Sequence, residues 1–367
     1  MIDWQQIRLD FPVTERVAYL NSAGAGPLSR QASEAAAKFY REMLEGGDSL
    51  WDEWLARREE VRKRVAAFIN AGPDEIALTT NTSSGMNLIV DALASRGEVI
   101  SSDLEFPVST IPWIHRGVRV QLVKASDAEV RVRDLINAMN ERTGVISISH
   151  VEYSNGCRVP VEELGASKGR HALVVNASQS AGVFEIDVKR MKIDALCATG
   201  HKWMLAGYGS GFVYLSRELL DQSRARAIGW LSVAEPFEMR NNDARVRADA
   251  GARAELGCPH FAGIFALGAA VDYQMRLGRA NIERRALELN RHLTESLSSA
   301  GWRVLSPLRN EKHRSAETLV AAENPAQVCA RLAERGVAVT EKPQGFRVAT
   351  HFFNNEDDIA RLIDALR

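Results

Sequence analysis

Lys202 offers the most reactive side chain that this sequence places at a turn. It stands in Ala198-Thr199-Gly200-His201-Lys202-Trp203, where a short apolar run gives way to glycine-rich sequence. An amine so placed can condense with an aldehyde as a Schiff base and then move protons on a substrate held at the same carbon. A lysine beside a tryptophan can equally lie on the surface with its stem on the ring. Two other clusters favour the chemical reading. Asn81-Thr82-Ser83-Ser84-Gly85 collects hydroxyls and main-chain N–H groups at a helix start, which suits an anion as well as ordinary capping. Asn176 and Gln179 follow the apolar run Ala172-Leu173-Val174-Val175. Pyridoxal phosphate needs support at its ring nitrogen, phenolic oxygen, phosphate and aldehyde carbon, and these three clusters together could supply it.

The elements that must position these residues can be read from hydrophobic period and turn residues. Tyr19 to Pro27 reads as an extended stretch entering a small-residue turn able to approach a ligand closely. Helices are expected over about Ser29 to Met43, Trp51 to Ile69 and Met86 to Ser95. Strands are expected at Glu75 to Thr79, Glu98 to Ser101, Val118 to Val123, Gly144 to Ser149, Leu173 to Ala177, Ala195 to Ala198 and Gly211 to Leu215. This alternation predicts an α/β sheet, and the uninterrupted apolar character of residues 172–175 fits a central strand covered on both faces. Polar residues at the ends of such strands lie where open α/β sheets bind ligands. Gly207-Tyr208-Gly209-Ser210-Gly211 precedes a strand and lacks dinucleotide spacing, so it reads as a turn behind Lys202.

After Trp230 the composition shifts to a charged run, Arg240 to Arg253. A long helical series follows from Ile264, then short strands near Arg303 to Leu305, Glu317 to Ala321, Val337 to Val339 and Phe346 to Val348, and a last helix from Glu356 to Leu366. The expected organisation is an N-terminal segment (1–27) contributing to the active site and the small domain, a large domain (28–255) and a smaller α+β C-terminal domain (256–367). The chain has 367 residues, 46% hydrophobic, with 46 basic and 47 acidic side chains. The near-zero net charge provides no broad attraction to nucleic acid or anionic lipid. The start lacks a basic segment followed by an apolar one, and no stretch has membrane length. The four cysteines are too few and too scattered for a disulfide scaffold or a local zinc site. A soluble cytoplasmic protein is expected, with no metal, nucleic-acid or membrane partner.

The sequence resembles the class V aminotransferase family of fold type I pyridoxal-phosphate enzymes, which includes cysteine desulfurases, selenocysteine lyases and isopenicillin-N-epimerase-like proteins. The resemblance covers nearly the whole chain. It rests on Tyr19-Leu20-Asn21, Asn81-Thr82-Ser83, Glu105-Phe106-Pro107, Ser154-Asn155-Gly156, Asn176-Ala177-Ser178-Gln179, Thr199-Gly200-His201-Lys202-Trp203, Gly257-Cys258-Pro259 and Arg347 with Thr350-His351. It implies a mostly parallel central sheet with a smaller α+β domain, a homodimer with shared active sites, and a small amino-acid substrate. It further implies that Lys202 carries the cofactor, that Thr82, Ser83, Thr199 and His201 hold the phosphate, that Gln179 meets the pyridine oxygen and that Phe106 stacks on the ring. Arg347 would clamp a substrate carboxylate, with Asn21 and Asn155 also on the substrate side. Aminotransferase-like chemistry is the expected activity, with a lyase, an epimerase or a noncatalytic cofactor-binding protein as alternatives.

Three positions depart from the family pattern. Asn176 stands where aspartate normally keeps the pyridine nitrogen protonated, so the electron sink is weaker. This fits a reaction needing less ring protonation, a slow or degenerate enzyme, or an altered sequence. Cys258 replaces the threonine that a neighbouring subunit usually offers to the phosphate, and a thiol is a poorer hydrogen-bonding group. No cysteine follows Arg347, where a desulfurase would be expected to carry its sulfur acceptor.

Overall fold

The computed structural model describes residues 2–367. The strands are β1 (Ala18–Tyr19), β2 (Ile76–Thr79), β3 (Glu98–Ser102), β4 (Val120–Val123), β5 (Thr143–Ser149), β6 (Ala172–Asn176), β7 (Ala195–Thr199), β8 (Gly211–Leu215), β9 (Glu317–Ala321), β10 (Val337–Ala338), β11 (Thr340–Lys342) and β12 (Gly345–Ala349). Seven of them form one sheet in the order β2-β8-β7-β6-β5-β3-β4. Its neighbours pair in parallel except β8, which runs antiparallel to both β2 and β7. The C-terminal ends of β2, β3, β5, β6 and β7 therefore share one edge of the sheet.

The central strands are buried on both faces because their side chains alternate between two apolar layers. Leu173, Val175, Leu196 and Ala198 enter one core with residues of the helices Trp51–Phe68 and Phe261–Leu277. Ala172, Val174, Ala195 and Cys197 enter the other with Met86, Ile89, Val90 and Leu93 of the helix Thr82–Leu93. Helix Phe261–Leu277 was expected within the smaller domain. It instead packs against the helices Arg30–Gly46 and Trp51–Phe68, because its nearly continuous apolar surface needs cover on more than one side.

The smaller C-terminal domain is built on the antiparallel sheet β11-β12-β9. Helices Arg279–Ser299 and Glu356–Leu366 contribute to its core through Leu289, Leu293, Leu297, Ile359 and Leu362. β1 pairs in parallel with β10, so the N-terminal segment is sewn onto this domain before it crosses to the large sheet. Two expectations differ in detail. Residues 303–305 make only an isolated bridge from Val304 to Val320, and β11, unforeseen, forms a hairpin with β12. Among the described residues no helix is long and apolar enough to cross a membrane, and no group of three or more His, Cys, Asp or Glu could hold a metal.

Candidate active site

A cavity of about 190 Å³ opens at the C-terminal edge of the large sheet. It is lined by Thr82 and Ser83 after β2, Phe106 after β3, Asn176 and Gln179 at and after β6, and Thr199, His201 and Lys202 after β7, so these sequence-predicted residues converge. Ser178, part of the motif from Asn176 to Gln179, also lines it, as do Ser149 and Tyr153, which were not singled out from sequence. Larger clefts of 450 and 630 Å³ lie elsewhere and neither contains Lys202.

The loop carrying Lys202 is held from both sides by glycines. Gly26 donates its N–H to the His201 carbonyl at 2.8 Å, and a methyl added at Gly26 would lie 2.2 Å from the Lys202 carbonyl oxygen. Gly182, with a φ of +104°, would place a methyl 2.2 Å from the Trp203 carbonyl oxygen. The small-residue turn near residue 26 thus approaches the lysine's own backbone closely. Gln274 Nε2 donates to the carbonyls of Trp203 and Met204, both at 3.1 Å, fixing the loop from a third direction.

Lys202 keeps some exposed surface, but its amine is enclosed. Burial first, and then the nearby Arg347 charge, lower its pKa to about 8 against the opposing pull of Glu317. The amine lies 5.8 Å from the centre of the Phe106 ring. Phe106 is 40% exposed and packs edge-on against Tyr153 at 4.9 Å, which leaves an aromatic surface at the cavity for a second ring.

Asn81 caps the helix Thr82–Leu93, its Oδ1 accepting from the Ser84 N–H at 2.9 Å. The first helical residues therefore keep main-chain N–H groups for an anion. The hydroxyls of Thr82 and Ser178 meet at 2.7 Å, and His201 Nδ1 meets the Thr199 hydroxyl at 2.7 Å while its ring stacks on Tyr208. Burial, then Lys202, lower the His201 pKa to about 4, so its imidazole is neutral near pH 7 and Nε2 is left to hydrogen-bond. Gln179 Oε1 accepts from Trp203 Nε1 at 2.8 Å and its Nε2 donates to the Ala23 carbonyl at 3.1 Å, leaving one amide hydrogen. Asn176 Oδ1 accepts the Ser178 N–H and its Nδ2 donates to the Ser109 hydroxyl, each at 3.0 Å.

Asn21, Asn155 and Arg347 do not line this cavity. Asn155 is hydrogen-bonded within its own loop region, donating to the Ala128 carbonyl and accepting the Cys157 N–H. Asn21 accepts a hydrogen bond from the Thr340 hydroxyl and bridges to Ala349. Arg347, on β12, is 3% exposed and lies 3.6 Å from Glu317 on β9, while its Nε and Nη1 have no hydrogen-bond partner. Its Cζ stands 5.4 Å from the Tyr153 ring centre, and Lys342 Nζ donates to the Tyr153 carbonyl at 2.9 Å. Lys342 and Glu317 went unremarked in the sequence because charged residues on short strands ordinarily mark a solvent face.

These features fit pyridoxal phosphate: an enclosed low-pKa amine, an anion-ready helix start with hydroxyls, an exposed aromatic face and an amide at the sheet edge. Fold and site together define an α/β enzyme of the fold type I pyridoxal-phosphate class, with a large mixed-sheet domain and a smaller C-terminal one. The chain belongs to the class-V aminotransferase family, whose profile matches residues 18–362. Among similar proteins are a probable cysteine desulfurase of Methanothermobacter thermautotrophicus, 28% identical over 99% of this chain and 97% of the relative. Isopenicillin N epimerase of Amycolatopsis lactamdurans is 27% identical over 99% and 98%. The apo structure of cysteine desulfurase from Thermococcus onnurineus NA1 superposes with a TM-score of 0.90 at 25% identity, covering 100% of this chain and 98% of that one.

Proposed function

We propose that this pyridoxal-phosphate enzyme is a lyase or epimerase acting at the α-carbon of a small amino acid, with Lys202 as the residue that carries the cofactor and moves the proton. The bound cofactor supplies an electron-accepting ring that weakens bonds to that carbon. Thr82, Ser83, Ser178, Thr199 and His201 hold the phosphate, Gln179 turns its free amide hydrogen to the ring oxygen, and Phe106 covers the ring. Arg347, with two buried N–H directions unpaired, takes the substrate carboxylate, and Asn21 braces the β11 hairpin beside it.

The observation that carries the choice of reaction is Asn176. Because Ser178 occupies its oxygen, it presents Nδ2, a donor suited to an unprotonated ring nitrogen. A ring held that way would accept less charge from the substrate carbon, which would favour proton return to that carbon or loss of a β-substituent over protonation at a distant atom. Amino transfer, expected from the resemblance, is therefore the weaker reading, and the relatives named above are desulfurases and an epimerase. A desulfurase that stores sulfur on its own cysteine is disfavoured as well. Cys157 and Cys197 are buried with their thiol pKa values pushed up by burial, and Cys258 lines the separate 450 Å³ cleft. Cys329 lies in the helix Pro325–Glu334.

Mass spectrometry after incubation of the holoprotein with a panel of amino acids in deuterium oxide tests this. Pyruvate with ammonia identifies the lyase, and an inverted, α-deuterated substrate identifies the epimerase. A keto acid formed together with pyridoxamine phosphate would overturn both in favour of amino transfer. The homodimer implied by the resemblance belongs to the same proposal and is checked by light scattering.

A further inference from the structure

Glu317 is a charged group beside Arg347 to which the reading above gives no task. It opens β9 opposite Ala349 of β12, two residues from Arg347, while Lys342 of β11 stands opposite Gly345, two residues from Arg347 on the other side. Opposed residues and alternate residues share a face of a sheet, so Glu317, Arg347 and Lys342 point the same way. That face meets the loop after β5 that brings Tyr153 to the cavity. Gly156 of this loop, with a φ of +73°, would place a methyl 2.6 Å from the Glu317 carbonyl oxygen, and the Ser315 hydroxyl donates to the Gly156 carbonyl at 2.6 Å. Glu317 is 1% exposed, yet neither carboxylate oxygen has a hydrogen-bond partner among the described residues. Arg347 Nη1, at 3.6 Å, stands beyond hydrogen-bonding distance. Lys342 does not complete the acid either, because its Nζ donates to the Tyr153 carbonyl at 2.9 Å and lies 3.0 Å from the centre of that ring. Burial raises the Glu317 pKa, and the charges of Arg347 on β12, Lys342 on β11 and Lys202 on its loop oppose this. A buried acceptor left without a donor is costly, and a ligand that brings one removes the cost.

An acceptor 3.6 Å from a guanidinium is about as far from it as the end of a short side chain is from the carboxylate of the same amino acid. We propose that Glu317 sets substrate specificity by accepting a hydrogen bond from the substrate's side chain, selecting a short neutral side chain that carries an O–H or N–H donor. This rests on Arg347 holding the substrate carboxylate. Charge then sorts the side chains. With Lys202 joined to the cofactor, the cations Arg347 and Lys342 are balanced at this end of the site by Glu317 and the substrate carboxylate. An acidic side chain would add an unpaired anion beside Glu317, and a basic one an unpaired cation. An apolar side chain would leave the Glu317 oxygens without a donor, and a site with a buried acceptor rejects a ligand that lacks the matching group. A thiol is a weak donor and gains less than a hydroxyl or a carboxamide.

The test titrates holoprotein with serine, asparagine, alanine and aspartate, and reads a dissociation constant for each from the change in visible absorption, separately from turnover. Wild type should bind serine and asparagine at least about tenfold more tightly than alanine, with aspartate the weakest. Glu317→Leu should remove the preference, bringing serine and alanine to within about twofold. Glu317→Gln keeps an accepting oxygen and removes the charge, so aspartate should gain about tenfold relative to alanine. Arg347→Leu should weaken all four amino acids alike. If Glu317→Leu does not fold, the ratio of aspartate to alanine in Glu317→Gln decides. Ratios unchanged from wild type in the Glu317 variants, or a wild type that prefers alanine, overturn this inference alone. Binding of all four left intact in Arg347→Leu overturns the carboxylate clamp and this inference with it. A wild-type spectrum indifferent to all four overturns it together with the amino-acid substrate.

Discussion

Lys202 gains its reactivity from where it sits. An amine with an ordinary lysine pKa is almost wholly charged near neutrality and cannot attack a carbonyl, whereas burial and Arg347 bring this one to about 8. Covalent capture of the aldehyde by apoprotein should therefore accelerate with rising pH and level off above about pH 8, as stopped-flow absorbance would show. Arg347→Leu removes a cation that depresses this pKa, so the midpoint should move upward. An unchanged midpoint would mean that Arg347 does not act on the amine. The type of residue at each of these positions was legible in the sequence, but the charge balance was not. Glu317 and Arg347 act on the Lys202 amine only because β9 and β12 turn them inward, where a charged residue on a short strand would ordinarily mark a solvated face.

At the scale of elements, the site depends on a helix start and on a turn packed without spare room. Asn81→Ala removes the cap of the helix Thr82–Leu93 and should lower stability by about 1 kcal/mol, seen as a reduced midpoint in urea. It should also weaken binding of pyridoxal phosphate, since the N–H groups of Thr82 and Ser83 lose their fixed direction. Gly26→Ala acts differently. The added methyl meets the Lys202 carbonyl oxygen at 2.2 Å, so the lysine loop must shift. Cofactor capture is expected to fall at least tenfold while far-ultraviolet circular dichroism stays as in wild type. The strands of the large sheet were readable because each is a short apolar run closed by polar residues. The residues 303–305 and β11 were not, because in pieces of two or three residues the pairing is decided by neighbours far away in sequence.

Across the whole molecule, buried ionisable groups set an opposing pair of pH effects. Burial lowers His150 to about 3, with help from Arg158, and His351 to about 4, opposed by the hydrogen bond to the Trp203 carbonyl. Unfolded histidines take up protons first, so stability present above about pH 6.5 is lost as pH falls towards these folded values. His351→Gln should flatten the fall of apoprotein melting temperature between pH 6.5 and 4, and an unaltered slope would contradict the assignment. Glu105 works in the other sense. Its folded pKa is raised, so its contribution is full at acid pH and is lost as pH rises out of the ordinary carboxylate range. Glu105→Gln should relieve that loss. The two-part architecture was visible from the change of pattern after residue 230, yet the helix Phe261–Leu277 crosses back to the large core. Only the packing of its unusually apolar surface reveals this.

Everything functional here depends on a covalent link at one amine, and that link can be read directly. Apoprotein is mixed with pyridoxal phosphate, reduced with borohydride, digested and mapped by mass spectrometry, with Lys202→Ala alongside. A visible absorption band is expected before reduction and the reduced cofactor on the peptide containing Lys202, with both missing from Lys202→Ala. A band that persists in Lys202→Ala, or a modification found on another lysine such as Lys342, would contradict it.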